Sequence, residues 1–284
     1  MGDFVLKKGI QVEFDKENGL FHFKNTDLSY HKKLTSRAFA TIIGVNKWES
    51  VGSAILERFK LVEKGEPIDP YYSVRGDLAE MLAYDFLKNH YKVSKGIDLE
   101  LATWEKDAIR YDNFPKNPKF GGMIDIAIKT PEKYRAVCEV KSKSMKDLDK
   151  IKANKGNPEE VMQGVFLSYL SKVDKCLMVY VFFTPNQEKI MREFVLRDKS
   201  IGYDIDSKMV AKDILNSTKW TFESVKIVPF KHMVSKYDML TKTEMGYKTL
   251  SDLKKNGYLP TNYFAPNEEM YLKSLASGEE EVPF

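Results

Sequence analysis

Between Phe120 and Ser144 the chain reads FGGMIDIAIKTPEKYRAVCEVKSKS, and no other stretch constrains the fold as tightly. Two carboxylates sit inside its apolar runs, Met-Ile-Asp-Ile and Val-Cys-Glu-Val. Met123 to Ile128 and Tyr134 to Lys141 have strand composition, and Thr130-Pro131-Glu132-Lys133 breaks the run between them, so the pattern predicts a hairpin. Strand side chains alternate between faces. Ile124, Ile126 and Ile128 then share one face, with Asp125 on the other. On the second strand Ala136, Cys138 and Val140 share a face, and Val137, Glu139 and Lys141 share the opposite one. Antiparallel pairing brings Asp125 beside Glu139 and Lys141. Charges on half-buried strands are costly unless they meet an opposite charge. A divalent cation supplies it, and magnesium takes one or two carboxylates together with waters and a substrate phosphate. Asp125, Glu139 and the main-chain carbonyl of Val140 are the candidate ligands, and Lys141 is the candidate for holding the attacking water. These are the parts for hydrolysing a phosphodiester. The plain alternative is a hairpin whose Asp, Glu and Lys face water; the apolar neighbours of both carboxylates weigh against it.

The flanking segments read as helices. Ser73 to His90 places Val74, Leu78, Met81, Leu82, Ala83, Phe86 and Leu87 at helical spacing, with Glu80 next to the apolar side and Asp77 and Asp85 along the polar one. Downstream, Asn157 and Pro158 have the chemistry of a helix start, and Glu160 is placed to complete a capping box. That helix is expected to run to about Lys172, with Met162, Val165, Phe166, Tyr169 and Leu170 as its apolar side and Gln163 as a polar residue of interest. Cys176 to Thr184 reads as a buried strand. From Lys141 to Lys155 six lysines stand against two aspartates, either as a solvated loop or as a track for nucleic-acid phosphates.

Farther out the signals thin. Val12, Phe14, Leu20, Phe21 and Phe23 flank Glu17-Asn18-Gly19, which predicts a hairpin. Leu34 to Lys64 reads as two helices, the first capped by Thr35 or Ser36 and closed by Gly44. After Pro185 the expectations are a strand over Ile190 to Leu196 and a helix over Asp204 to Leu215. The bulk numbers bound the class. At 284 residues, 43% hydrophobic and 30% charged, a packed core is feasible, as one large domain or two small ones. A net charge of +4 is mild, so nucleic-acid contact has to come from a local basic surface. Two cysteines, Cys138 and Cys176, cannot make a disulfide framework or a four-cysteine cluster; small core residues in a reducing cytoplasm are expected. No apolar run approaches a membrane span, and the opening residues hold no apolar signal core.

The ordered set Arg75-Gly76 to Glu80, Asp125, Glu139-Val140-Lys141 and Gln163 resembles the PD-(D/E)xK nuclease motif, in the lambda-exonuclease or YqaJ-type viral recombinase branch. The likeness spans roughly Leu34 to Phe183. It implies an α/β (α+β) fold with a restriction-endonuclease-like core, a central mixed β-sheet flanked by helices in the order helix–strand–strand–helix–strand. It implies one nuclease domain over residues 1–284, with N-terminal strands over 1–33, the core over 34–200 and a C-terminal extension over 201–284. The implied activity is a magnesium-dependent deoxyribonuclease, with manganese able to substitute, digesting duplex DNA from 5′ to 3′ as a phage-type recombination exonuclease. The resemblance implies that Glu80 and Gln163 support the site and that Ser36 holds a DNA phosphate end. The family's nearby arginine has no clean match, with His31, Lys32, Lys33 and Arg37 all placed to face a phosphate, and Arg37, Arg75 and Lys143 are the candidate cationic DNA contacts. In lambda-type enzymes Ser-Pro directly precedes the Asp; here Met123-Ile124 stand there, so one phosphate-binding hydroxyl is missing. The resemblance also suggests a ring-shaped homo-oligomer and cooperation with a strand-annealing or single-stranded-DNA-binding protein in the cytoplasm of a bacterial or phage-infected cell. The last residues, from Gly278 to Phe284, resemble the acidic tip of single-stranded-DNA-binding proteins, which docks a terminal Phe on a partner. The alternatives are an endonuclease of restriction or junction-cutting type, and a non-catalytic module binding DNA or a repair protein.

Overall fold

The polar turn after Asp15 opens the first hairpin of the computed structural model, which describes residues 4–29, 32–46, 49–63, 68–94, 100–103, 119–130, 134–199 and 205–278. Asp15 Oδ1 accepts the backbone N–H groups of Glu17 and Asn18 at 3.1 Å each, and Gly19 takes φ +64°, so β1 (Gln11–Asp15) returns as β2 (Leu20–Lys24) where the sequence placed a hairpin. Next come α1 (Ser36–Ile42), α2 (Val51–Arg58) and the long α3 (Pro70–Ser94). The middle of the chain forms β3 (Glu100–Thr103), β4 (Ile126–Lys129), β5 (Tyr134–Ser144), α4 (Leu148–Ala153), α5 (Pro158–Leu170) and β6 (Lys175–Phe183). It closes with α6 (Pro185–Lys199), α7 (Ser207–Thr218), β7 (Lys226–Met233), α8 (Lys236–Asn256), β8 (Tyr258–Pro260) and α9 (Pro266–Ser277).

Two compact units result. One comprises Met1–Glu66, Lys116–Gly121 and Tyr237–Phe284. Its antiparallel sheet has the order β1-β2-β8, and Leu259 of β8 lies opposite the fully buried Phe21 of β2. A strand near the end of the chain thus completes a sheet begun near its start.

The other unit comprises Pro67–Pro115 and Gly122–Lys236. It holds a five-stranded sheet of order β3-β4-β5-β6-β7, in which β5 and β6 are parallel and the remaining pairs antiparallel. A parallel pair needs a crossover, and α4 and α5 provide it. On one face Val74, Leu78 and Leu82 of α3, Met191 and Val195 of α6, and Val210 and Ile214 of α7 cover Ile126, Ile128, Cys138, Val140, Val179, Val181 and Phe183. On the opposite face Leu167 of α5 covers Ala127, Val137 and Ile124. Each side chain fully buried in this way contributes about 1.5–3 kcal/mol. The result is a mixed sheet flanked by helices, and α3, β4, β5, α5 and β6 follow in the helix–strand–strand–helix–strand order that the sequence implied.

Three local expectations are corrected. The first hairpin strand starts at Ile126, not Met123, so alternation does not run through Asp125, and Ile124 packs with Ala127 and Val137 instead of with Ile126 and Ile128. Ile190 to Leu196 lies in α6, not in a strand. Thr184 donates both its N–H (2.9 Å) and its hydroxyl (3.1 Å) to Gln187 Oε1, Pro185 follows, and Met191 and Val195 are buried at i, i+4 spacing. The buried side of α5 is Gln163, Gly164, Phe166, Leu167 and Ser168, a rotation from the expected apolar side. Gly164 explains the rotation. A Cβ there would stand 2.6 Å from Cys176 Sγ, 2.8 Å from Met178 Sδ and 3.2 Å from Glu139 Cβ, so only glycine lets the helix lie this close to the sheet.

Both cysteines are buried free thiols, and burial pushes both up, Cys176 to about 12. Among the described residues no helix is long and apolar enough to cross a membrane. His31, Trp104, Tyr111, the loop at 113–118, the turn residues 131–133 and the tail at 279–284 lie outside the described residues.

Candidate active site

The β5 strand divides its side chains as its sequence requires: Cys138 and Val140 enter the core under α3, and Val137 enters the smaller cluster under α5. Glu139 and Lys141, on the same face as Val137, meet α5. The Lys141 ammonium donates to Glu139 Oε1 at 2.7 Å and to Gln163 Oε1 at 3.2 Å. Asp125 arrives from the residue before β4, and its Oδ2 accepts the backbone N–H of Val140 at 2.8 Å. Glu80 comes from α3, close enough for its charge to act on Asp125. The structure thus brings together Glu80, Asp125, Glu139, Lys141 and Gln163, drawn from two helices and adjacent extended segments.

The electrostatics follow from crowding three carboxylates into a buried place. Burial, then the Glu139 and Glu80 charges, hold the Asp125 carboxyl well above the usual carboxylate range, against Lys141 and the Val140 N–H. Burial, then Asp77, push Glu80 up to about 7, with Lys208 pulling the other way. For Lys141, burial opposes the charge, but Glu139, then Asp125, more than offset it, and the ammonium keeps its proton beyond the ordinary lysine value. Glu139 is 6% exposed, and its Oε2 has no hydrogen-bond partner among the described residues. Buried carboxylate oxygens without partners are costly.

This donor set fits a hard, oxygen-preferring cation: an orphaned oxygen on Glu139 and carboxyl groups on Asp125 and Glu80 that resist losing their protons in its absence. Among the described residues no three His, Cys, Asp or Glu side chains form a ready-made metal cluster. A cation here would therefore draw part of its shell from a backbone carbonyl, water or substrate.

A stability test follows. Glu80 binds its proton more tightly folded (about 7) than at the ordinary 4.5, so its contribution is present at low pH and is lost as pH rises between these values. Relative to a Glu80→Gln protein, the metal-free chain is expected to lose up to about 3 kcal/mol from pH 5 to pH 8. Excess magnesium is expected to raise Tm at pH 8 and much less at pH 5. Thermal denaturation followed by circular dichroism, with chelator or magnesium, reads both; an unchanged gap between the two proteins across that range would disprove it.

The DNA-contact candidates have varied surroundings. Arg75 donates to Ser142 Oγ at 3.2 Å, pairs with Glu188 at 3.5 Å and lies over the Tyr71 ring at 5.5 Å. Lys143 pairs with Glu160 Oε1 at 2.6 Å. Glu160 therefore does not complete the expected capping box; Asn157 Oδ1 caps α5 by accepting the Glu159 N–H at 3.1 Å, and the Glu160 side chain is taken by the lysine. Ser36 and Arg37 belong to the other unit. Thr35, not Ser36, caps α1, accepting the Ala38 N–H at 3.4 Å, and Arg37 is an exposed cation 3.9 Å from Glu49.

Sequence reasoning did not connect α7 with the site. Its first residue, Ser207, donates to Asp77 Oδ2, and the following Lys208 acts on Glu80. Asp206 marks the helix start in sequence, as the cap accepting the N–H groups of Lys208 and Met209, but nothing local marks its neighbour on α3.

No protein-family model and no curated protein sequence matches the chain. Among solved structures, the chain is similar to an alkaline exonuclease from Laribacter hongkongensis, at 12% identity and a TM-score of 0.43, over 88% of this chain and 96% of that one. The same exonuclease in complex with dAMP matches with the same figures, 12% identity, a TM-score of 0.43 and coverage of 88% and 96%. A phage-related exonuclease from Haemophilus somnus 129PT is similar at 15% identity and a TM-score of 0.45, over 80% of this chain and 95% of that one.

Proposed function

We propose that this chain is a magnesium-dependent deoxyribonuclease, acting as an exonuclease that degrades duplex DNA from a 5′ end. The observation that carries the reading is the Lys141 ammonium, held between Glu139 Oε1 and Gln163 Oε1 beside Asp125 in a buried corner of the sheet. A cation bound by Asp125, Glu139 and the Val140 carbonyl, with Glu80 near it, would supply Lewis acidity at the scissile phosphate. The residues themselves do the positioning. The Val140 N–H fixes the Asp125 carboxylate, and Glu139 and Gln163 fix the lysine, whose remaining N–H is available to hold a water or a non-bridging phosphate oxygen. Ser36, Arg37, Arg75 and Lys143 are the proposed phosphate contacts, Arg75 and Lys143 exchanging their present carboxylate partners for DNA. A single nuclease domain over residues 1–284, a ring-shaped oligomer and a strand-annealing partner belong to the same proposal, as what the resemblance to the lambda-exonuclease branch implies.

The test is incubation of end-labelled linear duplex with and without magnesium, alongside closed circular DNA. Mononucleotide release from the linear substrate only with magnesium, with the circle intact, is the expected result. Cleavage of the circle would mean an endonuclease, and no hydrolysis of either would overturn the enzymatic reading.

A further inference from the structure

Gln163 lies between two groups of opposite kind. On one side the Lys141 ammonium, which can only donate, faces Oε1 at 3.2 Å. On the other side the Glu159 carboxylate, one turn earlier on α5, accepts from Nε2 at 3.4 Å. A side-chain amide has one accepting and one donating end. A donor-only neighbour on one side and an acceptor-only neighbour on the other leave it a single favourable orientation. Gln163 is only 8% exposed, so water has little access with which to turn the amide over. Glu159 is itself held: Asn157 Oδ1 accepts its N–H at 3.1 Å, and it stands in the first helical turn, where the macrodipole favours an anion.

We propose that Glu159 is a positioning residue of the nuclease site, setting the Gln163 amide so that its carbonyl oxygen, and not its NH2, meets Lys141. The proposal deepens the nuclease reading and rests on it. An ammonium has three hydrogens. Glu139 Oε1 and Gln163 Oε1 take two, which leaves the third for a water or a phosphate oxygen of the DNA. With the amide reversed, its NH2 would oppose the ammonium, and Lys141 would keep only its bond to Glu139. The third hydrogen would then lose its fixed direction.

The experiment is a double-mutant cycle on linear duplex DNA with magnesium, using Glu159→Leu and Glu159→Gln, each alone and combined with Gln163→Ala. Glu159→Leu is expected to lower kcat about 5- to 10-fold, the worth of one hydrogen bond, with KM nearly unchanged. Glu159→Gln keeps a carbonyl acceptor and should restore most of kcat. In the Gln163→Ala background Glu159→Leu should add nothing, because the route through the Gln163 amide has been removed. In the metal-free wild type the Gln163 side-chain NH2 should exchange slowly with solvent, and faster in Glu159→Leu. Equal losses in both backgrounds, or a change confined to KM, would show Glu159 to be structural or merely a charge facing the DNA. Glu159→Ala replaces the leucine variant should the latter not fold. Full activity of Glu159→Leu beside an inactive Lys141→Met protein overturns the positioning role alone; full activity of Lys141→Met overturns the nuclease reading beneath it.

Discussion

Lys141→Met is expected to lower kcat on linear duplex by about 10²–10³-fold while DNA affinity changes only a few-fold. Methionine keeps most of the length and all of the apolar packing, so the change isolates the ammonium. That ammonium counters Asp125 and Glu139 and is hydrogen-bonded to Gln163. Its removal takes the Lys141 donor from Glu139 Oε1, on a residue whose other oxygen has no partner among the described residues. The variant is also expected to lose about 3–5 kcal/mol, the usual result of breaking a buried ion pair from one side. Single-turnover cleavage, filter binding without metal and thermal denaturation separate the three effects. A kcat within threefold of wild type, in a protein shown to be folded, would remove Lys141 from the chemistry.

Asp125→Asn carries the opposite sign in stability. Asparagine retains an oxygen for the Val140 N–H, which Asp125 Oδ2 now accepts at 2.8 Å. It removes a carboxylate that burial, Glu139 and Glu80 all hold above its usual range. A group whose folded value is raised favours the folded state when protonated, and that contribution is lost as pH rises. Asparagine is neutral throughout. The metal-free Asp125→Asn protein should therefore match the wild type near pH 4 and exceed it by about 1–3 kcal/mol at pH 8. Activity should fall about 10³-fold at every pH, since a cation ligand has gone. Denaturation in chelator at both pH values, next to the cleavage assay, reads the pair of outcomes. A variant less stable than wild type at pH 8 would show that the Asp125 charge is not crowded by its neighbours.

What the sequence revealed and what it hid differ by range. The hairpin, the helix carrying Glu80 and the start of α5 at Asn157-Pro158 rest on local signals: alternation, helical spacing and capping chemistry. Those signals depend on residues within a few positions of one another; they put Asp125, Glu139 and Lys141 on one hairpin, whereas Glu80 and Gln163 were tied to it only by the resemblance of the ordered motifs. The strand start at Ile126 was missed because Met123 and Ile124 are as apolar as the strand that follows. The strand expected over Ile190 to Leu196 failed because a short apolar run fits either period until its partner surface is known. Gln163 and Gly164 on the buried side of α5 could not be read from hydrophobicity, since one is polar and the other has no side chain. The Ser207–Asp77 bond and the pairing of β8 with β2 join residues far apart in the chain, which leaves no local trace.

The close seating of α5 at Gly164 has an evolutionary consequence. A bulkier residue there must displace the two sulfur-bearing side chains of β6 beneath it or lift the helix, and lifting would carry Gln163 away from Lys141. Any descendant of this chain that enlarges position 164 and still works should have shrunk Cys176 or Met178 in the same lineage. Those three positions should drift together, as a compensating set, while the exposed turns of the same helix vary independently.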